Sequence, residues 1–193
     1  MRRFWSGFGI AVLAGVVVLA GLFVYIRFGF VDSRADIPVS GLEKATAMPA
    51  LDASVERRAP DIKNPVAPTD ANLLAGMRIY QTNCASCHGD INHPRGKLAE
   101  ALYPRAPQFL EDAPDMPENQ NFFIIQHGIR LSGMPAWKQV LSDQQMWQVT
   151  TFLSHMNKLP PQVSDQWKAL VGDAGDVTPQ HNSSSMDKDM HMK

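Results

Sequence analysis

The sequence predicts an all-α protein: a small helical domain preceded by one N-terminal transmembrane helix. Three observations carry this. Near the N-terminus, Phe8 to Ile26 is a run of 19 residues without a charge. Further on, "TDANLLAGMRIYQTNC" and "SDQQMWQVTTFLSHMNKLPP" repeat apolar residues at helical spacing behind capping residues. The region between and around them carries no hairpin signal.

The apolar run defines an anchor over residues 1–30. As a helix it spans roughly 28 Å, against a hydrocarbon thickness of about 30 Å. Arg2 and Arg3 precede it and place the N-terminus in the cytoplasm. A cleaved signal peptide has a shorter apolar region and a small-residue cleavage site just after it. Here bulky "LFVYIRFGF" occupies that place, and "ATA" at Ala45 to Ala47 lies far downstream. Length therefore favours an uncleaved anchor.

Residues 31–68 are expected to form an extended linker. Pro38, Pro49, Pro60, Pro65 and Pro68 interrupt it, and no apolar period is sustained. A short helix around Leu42 to Ala47, lying on the domain, is the alternative.

The helical domain is expected over residues 69–171. Its first helix is capped by Thr69 or Asp70, with Leu73, Met77 and Tyr80 on one face. "ENQNFFIIQHGI" is a shorter helix with Asn119 or Asn121 near its start, and Gly128 suits the left-handed position that ends it. In the last and clearest helix Ser142 and Gln145 form a capping box, and Met146, Val149 and Leu153 form the stripe. Pro160 and Pro161 stop it. The long proline-rich stretch from His93 to Pro117 needs something to pack on.

Overall charge is −1 and the pI is about 6.6, which does not suggest a nucleic-acid binder. The domain itself holds nine acidic and eight basic residues, so no lysine-rich face is evident.

Both cysteines of the chain lie in "NCASCHGD". Cys84 and Cys87 could form a disulfide in an oxidising compartment. A thioredoxin-type redox pair needs a βαβ context that is absent. A structural zinc ion needs four ligands, and Cys84, Cys87 and His88 supply at most three. The remaining option, C-x-x-C-H, is the signature of covalent haem attachment. The thiols add to the haem vinyl groups, and His88 can then reach the iron. Thioether formation takes place outside the cytoplasm, where the anchor would put this domain.

With those residues in view, the chain resembles the bacterial class I single-haem cytochromes c over about Asp70 to Leu159. The family's Gly-x3-aromatic ahead of the haem motif is matched by Gly76 and Tyr80, and its late aromatic by Phe152, followed by Leu153. The resemblance implies a small cytochrome c-like helical domain wrapped around one covalent haem c, with these two helices crossing at Gly76. It implies Met134, in "SGMPAW", as the second iron ligand opposite His88; Met116 in "DMPE" is the weaker candidate. It also implies a proline carbonyl behind His88, Pro107 first and Pro104 second. Trp137 would pack at the haem edge or bond a propionate. Arg95 and Arg130 could pair with propionates but are more often solvated charges, and His93, His127 and His155 are read as surface histidines.

Residues 172–193 are expected to be a disordered tail. It holds His181, Met186, Met190, His191 and Met192, whose soft ligands suit copper, although the loose spacing favours a polar tail with incidental methionines.

The resulting expectation is an electron carrier with no catalytic residues. It would sit on the cytoplasmic membrane with its domain in the periplasm. Its partners would be a membrane redox complex, periplasmic electron carriers, or both. The alternatives are a cytochrome subunit of a dehydrogenase or terminal oxidase, or a copper-handling protein. One C-x-x-C-H and a six-coordinate iron leave no open position for an enzyme of its own.

Overall fold

The computed structural model describes residues 2–174. It divides into two units at Ile37 and Pro38, and among the described residues it contains helices and no strand.

The first unit is one long helix, α1 (Arg2–Arg27), and a short exit. Within it Gly7–Arg27 is long and apolar enough to cross a membrane, by length and composition. From Phe8 to Ile26 its leucines, valines and phenylalanines are exposed. Gly29 takes a positive φ of 75° at the exit, and Tyr25 stacks on Phe30.

The second unit begins with an element the sequence reading largely missed. Residues 31–68 are not one extended linker: α2 (Gly41–Arg58) occupies nearly half of them. Four alanines together with Leu, Glu, Lys and Arg give this segment high helix propensity without an apolar stripe. Ser40 caps it by accepting from the Glu43 amide at 3.1 Å, and Arg57 and Arg58 sit in its last turn, where cations complement the helix dipole. Pro49 lies inside the helix, and Ala45, whose carbonyl it leaves without a donor, is exposed to water. The chain after α2 is also held. Asn64 Nδ2 donates to Thr151 Oγ1 at 2.8 Å, and Asn64 Oδ1 accepts from the Val66 amide at 2.9 Å.

The core is built on two crossing helices, α3 (Asp70–Asn83) and α6 (Asp143–His155). The first carries Leu73, Met77 and Tyr80 inward, and the second Met146, Val149, Phe152 and Leu153, all buried. Thr69 and the Ser142–Gln145 capping box start them as expected. They approach backbone to side chain at Gly76. A Cβ there would lie 2.1 Å from the Gln148 carbonyl oxygen and 2.9 Å from Phe152 Cβ. Beside them α5 (Glu118–His127) stacks Phe122 on Trp147, with ring centroids 3.9 Å apart.

Pro160 and Pro161 do more than stop α6. After a 3-10 turn at Met156–Lys158, Pro161 is the first residue of α7 (Pro161–Ala174), where a missing N–H costs nothing. This helix returns to α3. Trp167, 1% exposed, meets Tyr80 and Phe152 edge-on and donates from Nε1 to Gln81 Oε1 at 3.0 Å. The helix runs three residues into the expected tail. The histidines and methionines proposed for copper, from His181 to Met192, lie outside the described residues.

Candidate functional site

The end of α3 delivers Cys84 as its cap, and one further turn, α4 (Ala85–His88), carries Cys87 and His88. Both thiols are free and half-buried. Burial pushes the Cys84 thiol up to about 12, with the neighbouring Cys87 adding to the effect. The turn must end sharply. Gly89 does this at φ 84°, where a Cβ would lie 2.3 Å from the Pro94 carbonyl oxygen. Tyr80 Oη, buried, donates to the Gly89 carbonyl at 2.7 Å and ties the turn to α3.

His88 is fixed on two sides. Its Nδ1 lies 2.8 Å from the Pro107 carbonyl oxygen, and its ring stacks on Phe109 at 4.3 Å and 2°. Burial lowers its pKa, against the hydrogen bond to Pro107, which favours the neutral imidazole, the form that binds a metal. Pro107, not Pro104, is thus the proline behind this histidine. The strand of chain that bears it is clasped by Gln108. Its Nε2 donates to the Cys87 carbonyl at 3.0 Å and to the Ala106 carbonyl at 2.6 Å, and its Oε1 accepts from the Gly96 amide at 2.7 Å.

Met134 lies on a second loop, after α5. Gly128 ends α5 at φ 66°, and a Cβ there would lie 2.6 Å from the Met134 carbonyl oxygen. The Ile129 amide donates to that same oxygen at 3.1 Å. Ser132 Oγ accepts from the Met134 amide at 3.1 Å and donates to the Ile129 carbonyl at 2.8 Å. Met134 and Trp137 are half-buried and pack against the same hydrophobic core as Cys84 and Phe109.

The other candidates are placed elsewhere. His93 pairs with Asp90 at 3.2 Å, His155 Nδ1 faces the Thr151 carbonyl at 2.8 Å, and exposed His127 leans on Phe123. Arg95 is bound by both oxygens of Glu111, at 2.8 and 3.3 Å, and Arg130 is exposed. The Met116 carbonyl accepts from Asn121 Nδ2 at 2.9 Å. Sequence reasoning missed Gln108 and Phe109. The signal that could have found Phe109 is its place as an aromatic two residues after Pro107. Gln108 left no signal, because an amide that closes a loop looks like any surface glutamine.

This donor set fits haem c. Two thiols sit one turn apart, the next residue presents a neutral imidazole with Nε2 free, and a thioether comes from a fixed loop. It does not suit zinc: among the described residues no three His, Cys, Asp or Glu side chains gather as a metal site.

Residues 71–153 match the family model described as cytochrome c oxidase, cbb3-type, subunit III. Among solved structures, a chain of the Kuenenia stuttgartiensis reducing HAO-like protein complex is similar at 21% identity with a TM-score of 0.41. The match covers 60% of this chain and 60% of that one, so this chain spans less than two thirds of its length.

Proposed function

We propose that this chain, whose residues 71–153 match the cytochrome c oxidase cbb3-type subunit III model, transfers electrons through one haem c, bound covalently and ligated by His88 and Met134. The single observation that carries this is the pairing of C-x-x-C-H with a His88 whose Nδ1 is held by the Pro107 carbonyl. When bound, the haem iron supplies one-electron chemistry. The chain's own residues do the rest. Cys84 and Cys87 hold the group, and the Pro107 carbonyl and Phe109 orient His88. Gly128, Ile129 and Ser132 hold the loop of Met134, and Trp137 covers the edge. A soft thioether favours the reduced iron and raises the potential.

Gly7–Arg27 would anchor the protein, with Arg2 and Arg3 on the cytoplasmic side and the haem domain in the periplasm. With α2 folded, residues 28–40 would be the tether, about 20 Å root-mean-square for a flexible chain of that length. That length holds the domain near a membrane partner at high effective concentration. The name of the matching family favours one version of this role: a subunit feeding electrons to a terminal oxidase.

The test is the visible spectrum of the full-length protein, oxidised and reduced, for wild type and Met134→Ala. A sulfur-to-iron charge-transfer band in oxidised wild type, lost in the variant, is expected. A high-spin wild type that binds carbon monoxide readily would mean an open iron position and would move a catalytic role ahead of a carrier role.

A further inference from the structure

The loop of Met134 has two walls. One is the end of α5, through Gly128 and the Ile129 amide. The other is Leu102, whose Cδ2 would stand 2.5 Å from a Cβ on Gly133, the residue before Met134. This second wall is weakly built by its own backbone. Among the described residues, no amide from 102 to 107 donates a main-chain hydrogen bond outside a helix, and none of these residues is helical.

What holds Leu102 from outside is its neighbour. Tyr103 Oη donates to the Glu43 carboxylate, across 60 residues of sequence, and both residues are half-buried. Glu43 is the only residue of Gly41–Ala50 that is not exposed, so the first half of α2 touches the domain there. The second half is seated independently. Val55 is 3% exposed, and Asn119 Nδ2, on α5, donates to the Pro60 carbonyl at 2.9 Å. The strap is therefore anchored at one end on α5 and grips Tyr103 with the other.

We propose that Glu43 and Tyr103 are positioning residues for the sixth ligand: the strap ahead of the domain clamps Leu102 against Gly133 and so holds the Met134 loop closed. This rests on the reading of Met134 as an iron ligand. It makes the membrane-proximal segment part of the control of ligand lability, and it gives a reason for a helix with almost no buried surface to fold where a linker would do.

The test uses the full-length haem-loaded protein and imidazole as the competing ligand, with Tyr103→Phe, Glu43→Ala and Glu43→Gln. Loss of one hydrogen bond to a charged acceptor should raise the imidazole binding rate about three- to fivefold in Tyr103→Phe and Glu43→Ala. Glu43→Gln, which keeps an acceptor oxygen, should recover most of it, and the two deletions together should do no more than either alone. Hydrogen exchange of the Ile129 amide should rise in the same variants. A purely structural contact would lower thermal stability and leave both readouts at wild-type values, and that result overturns the clamp. If wild type shows no thioether-to-iron band, the ligand assignment fails instead. Ile129 exchange still reads the clamp in that case, and unchanged exchange in Tyr103→Phe rejects it.

Discussion

The Nδ1 of His88 stands 2.8 Å from the carbonyl oxygen of Pro107, and because a carbonyl only accepts, the proton of the neutral imidazole is on Nδ1. Nε2 is left with its lone pair. The carbonyl is aimed by the loop that carries it, and Gln108 closes that loop with three hydrogen bonds. Gln108→Ala removes all three partners at once. It should cost about 1–3 kcal/mol in urea unfolding and, on the proposed ligation by His88, raise the reduction potential, since a weaker hydrogen bond at Nδ1 makes the imidazole a poorer donor to the oxidised iron. A variant with wild-type stability and potential would show that the clasp is incidental.

Gly76 decides how close α3 and α6 come. Alanine is the better helix former by about 1 kcal/mol. That gain is outweighed, because the new Cβ meets the Gln148 carbonyl at 2.1 Å and neither backbone can step aside without separating the helices. Gly76→Ala should therefore destabilise by about 3 kcal/mol, the upper end for overpacking. Denaturation midpoints measure this, and a neutral or stabilising result would mean the crossing is looser than described.

The parts legible in the sequence were those whose signal is local. The C-x-x-C-H spacing, the capping box at Ser142 and the stripes through Tyr80 and Phe152 are each contained within one turn or one helix. What was not legible depends on tertiary context. α2 has propensity but no stripe, since Val55 is its single buried residue, and prolines masked it. α7 was hidden behind Pro160 and Pro161, which end one helix and start the next. Gln108 and Glu43 matter chiefly through partners 12 to 60 residues away.

Tyr80 gives the fold an alkaline limit. Its phenol is pushed well above the ordinary 10.0, first by burial and then by Cys84 and Asp90. A raised folded pKa favours the protonated form in the fold. Its stabilisation is fully present below pH 10 and is lost as pH rises above that, where the unfolded chain releases the proton and the folded one resists. Thermal midpoints should therefore fall between about pH 10 and 12. Tyr80→Phe should start lower, by about 1 kcal/mol for the lost bond to the buried Gly89 carbonyl, and then fall less steeply. Parallel pH profiles for the two proteins would exclude Tyr80 as the cause.

Trp167 should prove as necessary to the domain as the two crossing helices, α3 and α6. It is 1% exposed and closes an aromatic cluster with Tyr80 and Phe152 at 6.1 and 5.1 Å. Its indole N–H is also satisfied by Gln81. Trp167→Ala opens a large cavity directly behind Tyr80, whose hydroxyl holds the turn after His88. The expected loss is about 3–5 kcal/mol, near the top of the range for core truncations. Trp167→Phe keeps the ring and loses the hydrogen bond, so it should cost clearly less. Urea unfolding of both variants, followed by the haem absorbance, separates the packing contribution from the hydrogen bond. If both variants unfold at the wild-type midpoint, α7 is an appendage, and the domain ends with α6.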